Sequence, residues 1–336
     1  MAPSSRVDAF QQRHRGVGFP LGVGYKFFDD QGNYLAALIT YYAFLSLFPM
    51  LLLLTSVLGF VLQDNPQLQQ ELIDSALNQF PVVGDELGNP AGLKGSGTAL
   101  VLAFVVTLYG ALGIAQAGQN AMNAAWAVPR NKRPNPVLVR LRSLLLLGTA
   151  GFALVGITLL TILAANGRFG EGPVRTVLFT VATVALYAAV LVLVMRLGTA
   201  AALSLRDVLP GAVLGAVLWQ TLQLFGRVYV QSVVQGASDT NGTFAVVFGL
   251  IAWIYLLSVS FVLCVEVNVV LARRLWPRSL LTPFTDDVDL TSADQRAYRQ
   301  YATAQRNKGF QTVDVTFEHD GQNASATRTG TTPPDP

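Results

Sequence analysis

The sequence predicts an all-α, polytopic membrane protein with six transmembrane helices, both ends on the inner side, and an amphipathic helix between the first and second spans. Three observations carry that prediction. Of 336 residues, 52% are apolar and 13% charged, and the apolar ones run together in stretches longer than a soluble core of this size uses. Lys and Arg gather beside alternate ends of those stretches, as they do in inner-side loops. The polar side chains inside the stretches recur at helical spacing, so they mark faces.

Residues 1–34 form a basic, inner-side segment with Arg6, Arg13, Arg15 and Lys26. It lacks the early apolar run of a cleavable signal peptide, so it is expected to be retained. Phe27, Phe28 and Tyr34 beside Lys26 suit the headgroup level, and Asn33 suits an N-cap. Residues 35–274 form the membrane domain. Its first span, about 35–62, exceeds the roughly 20 residues that cross a hydrocarbon core. Pro49 is the expected kink, because it removes a backbone hydrogen bond, and Ser46 is close enough to help satisfy the freed carbonyl.

Between 63 and 97 the chain turns acidic, with Asp64, Glu71, Asp74, Asp85 and Glu86 against Lys94. Leu68, Leu72, Ile73, Ala76, Leu77 and Phe80 recur at helical spacing behind Asn65 and Pro66, which predicts an amphipathic helix on the membrane surface or across the mouth of the bundle. The second span covers about 98–128. A basic connection with Arg130, Lys132, Arg133, Arg140 and Arg142 follows, then spans at about 144–165, 174–197, 208–231 and 244–271. Arg273, Arg274 and Arg278 close the last. Basic residues concentrate in the N-terminal segment, the second and fourth connections and the segment after the sixth span, which is the pattern of six spans with both ends inside. Residues 275–336 are polar and expected to be disordered, although Val313, Val315 and Phe317 alternate as a short strand would.

Three spans carry polar faces. In the second, Tyr109, Gln116, Gln119, Asn120 and Asn123 fall on one side; in the fifth, Gln220, Gln223 and Arg227 do so, with Gln231 one turn on; in the sixth, Tyr255, Ser258 and Glu266 share a face with Asn268 nearby. In a bilayer such faces turn toward protein or a water-filled cavity. They are the candidate substrate path, and the same residues also suit hydrogen-bonded glue between helices. Arg227, one turn from its helix end, suits a headgroup anchor as well as a substrate contact. Glu266, near the inner end of its span, is expected to meet Arg140, Arg142 or Arg206, in a structural ion pair or a transport role.

Several chemistries are excluded. Cys264 is the single cysteine and His14 and His319, in the polar ends, are the two histidines, so no intrachain disulfide, thiolate cluster or multi-histidine metal site can form. No phosphate-binding Gly-rich loop and no HExxH motif occur, and no cofactor is expected. The body has no histidine to act as general base, so the chain is not expected to be an enzyme. The net charge of +3 follows from the inner loops and gives no reason to invoke nucleic acid.

Certain stretches carry a family resemblance. Residues 37–49, ending Ser46-Leu47-Phe48-Pro49, resemble the first-span pattern of the YihY/BrkB family of bacterial inner-membrane proteins. Ala121-Met122-Asn123-Ala124-Ala125-Trp126 is similar to that family's Ala-Leu-Asn-x-x-Trp segment, and Leu209-Pro210-Gly211-Ala212, Trp219, Trp253-Ile254-Tyr255-Leu256 and Glu266-Val267-Asn268 are similar to its last two spans. Asn241 stands where the family usually has Tyr, and Cys264-Val265 replaces a Gly-Ala pair, bringing larger side chains to a position of close packing. The resemblance implies a multi-pass protein of the bacterial plasma membrane associated with envelope integrity and, for some members, serum resistance or a proposed role in lipid export. Some members were once labelled ribonuclease BN.

The expectation is a six-helix bundle in which spans two, five and six line a polar cavity for a lipid or other amphiphile, moved or flipped between leaflets. With no ATP site, a gradient or a partner would drive it. The alternative is a non-transporting structural protein of the envelope, with ribonuclease third. Membrane lipids are the expected partners, and the sequence assigns no oligomeric state.

Overall fold

The structure, a computed structural model, describes residues 3–61, 97–165, 173–229, 239–285 and 288–317. Regular structure among them is entirely helical. Two helices, α1 (Pro3–Arg13) and α2 (Arg15–Asp29), precede six long ones: α3 (Gly32–Val61), α4 (Gly97–Ala125), α5 (Pro136–Ala165), α6 (Pro173–Gly198), α7 (Leu205–Tyr229) and α8 (Asp239–Arg273). A last helix, α9, spans Ser292–Ala304. Helices thus occupy each of the six apolar segments. Four described stretches are long and apolar enough to cross a membrane: Pro136–Ala153, Val177–Gly198, Leu205–Gly226 and Val247–Arg273.

The long helices close a ring. Each of α3 to α8 packs on its successor, α8 returns to α3, and α4 also touches α6 and α8. Val101, Leu102, Phe104, Val105, Val177, Leu178, Val181, Val213, Val217, Leu224, Phe225 and Phe248 all point out of the bundle, which in water would be a large exposed apolar surface and in a bilayer is lipid contact. Close approach depends on several glycines, among them one at the α3–α4 contact and one at the α7–α8 contact. A Cβ at Gly113 would overlap the Tyr42 ring, and one at Gly211 would overlap the Cys264 carbonyl and the Asn268 amide. Helices α7 and α8 therefore meet tightly beside Cys264 and Val265, both buried; the Cys264 side chain itself lies against Gly215 of α7.

Several local expectations are corrected. The first long helix starts at Gly32, and its Tyr34 and Leu35 amides donate to the Gln31 carbonyl, so Asn33 lies inside the first turn and does not cap it. Of the reading at Pro49 only the help from Ser46 changes: its hydroxyl donates to Ala43 at 3.1 Å, one turn back, rather than to the carbonyl that Pro49 frees. Arg140 and Arg142 lie on the opening turns of α5, not in a connection, because Pro136 starts that helix early. Phe27 is buried against Ala36, Ile39, Ala117, Ala121 and Val262, while Phe28 and Tyr34 are exposed. The amphipathic helix expected over 68–80 and the acidic loop lie outside the described residues.

The disorder expected from residue 275 does not hold for the described part of the tail. Helix α9 begins with a capping box, in which the Asp294 amide donates to the Thr291 hydroxyl and the Asp294 carboxylate accepts from the Thr291 amide. Ala293, Asp294 and Ala297 are buried. Composition suggested disorder because apolar residues are few there, whereas small residues and paired charges do the packing. Residues 311–317 form no strand; Phe317 lies under the Arg299 guanidinium at 5.3 Å.

Candidate functional site

Helices α1 and α2 meet the segment after α8 at one end of the bundle, and Lys26, Glu266, Arg278 and Asp294 are buried there. Two of the three αL residues outside glycine among the described residues, Ala127 (φ 47°) and Arg274 (φ 52°), terminate α4 and α8. Each end is a Schellman turn: the Val128 amide donates to Asn123 and Ala127 to Ala124, and likewise Leu275 to Val270 and Arg274 to Leu271. The turn after α8 sends residues 275–280 back across α1 and α2. The Gln11 amide donates to the Arg278 carbonyl at 2.5 Å, the Leu280 amide to Asp8 at 3.0 Å, and the Tyr25 hydroxyl to the Leu280 carbonyl at 2.5 Å.

Arg278 is the hub of this junction. Its Nε donates to Asp294 at 2.7 Å and its Nη1 to Asp29 at 2.5 Å, and its plane lies beside the Tyr25 and Tyr298 rings. Burial works against its charge, but the Asp29 and Asp294 carboxylates outweigh burial and raise its pKa above that of a free guanidinium. Asp294 also accepts from the Ser279 amide at 3.0 Å. One carboxylate thus caps a helix, holds a loop and pairs a cation.

Next to it lies a second cluster. Lys26, 1% exposed, donates to the Ala125 carbonyl at 3.0 Å and to Asp30, and stands 5.1 Å from the centre of the Tyr301 ring. Its ammonium is 3.5 Å from Glu266, which is 0% exposed. That is an ion-pair distance, too long for a hydrogen bond. Neither Glu266 oxygen has a donor in bonding geometry among the described residues. Glu266 therefore meets Lys26 and Asp30, not Arg140, Arg142 or Arg206. The sequence offered no signal for this pairing, since 240 positions separate Lys26 from Glu266 and Lys26 read as one of the basic residues of the inner-side segment. Burial first, against the opposing pull of Lys26, raises the Asp30 pKa above the ordinary carboxylate range; burial likewise raises that of Tyr301.

The residues of the three polar faces find separate partners. Gln119 on α4 donates to the Ser143 hydroxyl of α5 at 2.8 Å, and Asn123 accepts from the Ala200 amide, beyond α6, at 2.7 Å. Asn120 is exposed and accepts from Arg133 at 3.3 Å. Tyr109 is exposed beside Tyr42, with ring centres 6.1 Å apart, and Gln116 is half-buried. On α7, Gln220 is half-buried and Gln223 buried; the Arg227 and Gln231 side chains lie outside the described residues. On α8, Ser258 donates to Ile254 and accepts from Thr40 of α3 at 3.2 Å, while Tyr255 is exposed. Asn268 spans the α7 start: it accepts from the Gly211 amide at 2.6 Å and donates to the Val208 carbonyl at 3.1 Å. Among the described residues no group of three or more His, Cys, Asp or Glu is placed to hold a metal ion.

A profile of the family described as "Virulence factor BrkB" matches residues 23–284, most of the chain and all of the helical ring. The chain belongs to the BrkB family. BrkB proteins form a non-enzymatic, envelope-integrity family, and this member is a multi-pass protein of the bacterial inner membrane. The chain is also 44% identical over 57 residues to an uncharacterized protein of Dickeya dadantii (strain 3937), a match that covers 17% of this chain and 17% of that protein. No solved structure matches it. The family match begins at Val23 and ends at Phe284, so it takes in Lys26, Asp29, Asp30, Glu266 and Arg278 of the junction and leaves out Asp294 and Tyr301.

Proposed function

We propose that this BrkB protein serves envelope integrity as a structural, non-transporting component of the inner membrane. The observation that carries the reading is how its polar membrane residues are used. Gln119, Asn123, Ser258 and Asn268 are buried, and each is bonded to a neighbouring helix or link, as packing glue is. The accompanying organisation is six spans, a basic inner-side segment over 1–34, a membrane domain over 35–274 and an inner-side tail beyond. The contacts of Gln11 and Asp8 with residues 278–280 support an even number of crossings, because both ends then lie on one side.

A second reading, movement of a lipid or other amphiphile, is favoured by Tyr109 and Tyr255. They stay exposed on polar faces where Gln119, Asn123, Ser258 and Asn268 are buried. In this reading Gln116, Gln220, Gln223 and Arg227 join them along a path between α4, α7 and α8, and amide and phenol groups hold a headgroup while tails remain in the bilayer.

One experiment separates the two. Translocation of labelled phospholipid and isoprenoid lipids is followed in proteoliposomes, with wild type beside the Gln116→Leu/Asn123→Leu variant and leak monitored in parallel. The structural reading expects no flux from folded wild type under any ion gradient, and a variant less stable by about 1 kcal/mol, near the value of one interhelical hydrogen bond in a membrane. Wild-type flux that vanishes in a variant of unchanged stability selects transport and overturns the structural reading.

A further inference from the structure

We propose that Lys26, Asp30 and Glu266 form a proton-binding site, in which the two carboxyl groups share one proton at neutral pH and so hold α2 against α8. The argument starts from charge and burial. One ammonium faces two carboxyl groups, and all three side chains are at most 5% exposed. Were both acids ionised, the pocket would carry a net negative charge away from water, which proteins avoid by neutralising the group. Lys26 does not serve the two acids equally. It bonds Asp30 and the Ala125 carbonyl directly, and reaches Glu266 only at 3.5 Å.

Among the described residues the other surroundings supply no second cation. From α2 and the turn after it come Lys26, Asp29 and Asp30; α4 contributes the Ala125 carbonyl; α9 contributes the Tyr301 ring. The nearby Arg278 is engaged by Asp29 and Asp294. Glu266 itself has no hydrogen-bond donor in geometry among the described residues, so a bare carboxylate there would rest on Lys26 alone, at 3.5 Å and already bonded to Asp30. A proton on the acid pair balances the pocket at one positive and one negative charge. Its loss would set two negative charges facing each other between α2 and α8, and would loosen the only described ion pair that joins those helices.

The test is infrared titration of purified protein in lipid, reading the carbonyl stretch of a protonated carboxyl group. Wild type is expected to show such a band at pH 7 that disappears on raising the pH, with part of it shifted by ¹³C-carboxyl glutamate. In Glu266→Gln the amide stands in for the protonated acid, so the band is expected to be lost while the fold is kept. In Asp30→Asn the single remaining carboxylate pairs with Lys26, and the band is expected to be lost as well. Absence of a titrating band in wild type at pH 7, or a band of unchanged size in both variants, would overturn the proposal and leave a static ion pair. Should Glu266→Gln fail to fold, labelled wild type and Asp30→Asn decide the matter between them.

Discussion

Asp30 shows how a single side chain makes stability depend on pH. Burial, opposed by Lys26, raises its pKa in the folded state above the ordinary value near 3.8. The folded protein then binds the Asp30 proton more tightly than the unfolded chain does. The resulting stabilisation is complete below the ordinary carboxylate pKa and is lost as pH rises through the raised folded value. Thermal unfolding in detergent between pH 4 and pH 8 is expected to show a fall in wild type that Asp30→Asn flattens. An equal fall in both would assign the pH dependence to other groups. Ala127 offers a cleaner case, since its φ of 47° puts a side chain in the left-handed region. Replacing it with glycine, which reaches that region freely, is expected to raise stability by about 1 kcal/mol in the same assay. A neutral or harmful Ala127→Gly would mean that burial of the methyl outweighs the backbone term.

Among the elements, α9 depends most on one contact. Its cap, its loop and its attachment all run through Asp294, and Arg278 bridges it to Asp29 on α2. Cutting one partner out of a buried pair strands the other charge. Arg278→Met is therefore expected to cost about 3–5 kcal/mol and to expose residues 275–304 to protease while the long helices stay intact. Equal protection of that segment in the variant would show that apolar contacts alone hold it. At α7, Gly211→Val would drive a side chain into the Cys264 carbonyl and displace Asn268 from the Val208 carbonyl and Gly211 amide. Separation of α7 from α8, read as a lowered unfolding temperature several times larger than that for Gly148→Ala, is the expected result. Gly148 has nothing within 4 Å of where a Cβ would stand.

For the whole molecule, membrane residence and helix positions were legible in the sequence because lipid contact demands long apolar runs, and such runs need no knowledge of partners. The polar faces on α4, α7 and α8 were legible too, from spacing alone. Spacing does not say what a face meets, and this is why Gln119 and Asn123, neighbours on one stripe, turn out to bind different parts of the chain. The junction escaped notice for a related reason. Its residues belong to segments at opposite ends of the sequence, each too polar to suggest a core, and only their combination neutralises them. Orientation has a direct measurement. A cysteine in place of Val7 or Arg299, in a chain whose buried Cys264 is replaced by serine, is expected to react with a membrane-impermeant maleimide only after the inner membrane is opened. Labelling of either site in intact spheroplasts would reverse or break the inward placement of the ends.

The junction also bears on the order in which the protein can be made. Lys26 and Asp30 are synthesised early, whereas Glu266 lies near the end of the last long helix, and Arg278 and Asp294 follow it. Until the ribosome has delivered those last residues, Lys26 has Asp30 but not Glu266 beside it, and Asp29 lacks Arg278. Completion of the chain is thus what closes the charged junction around its beginning.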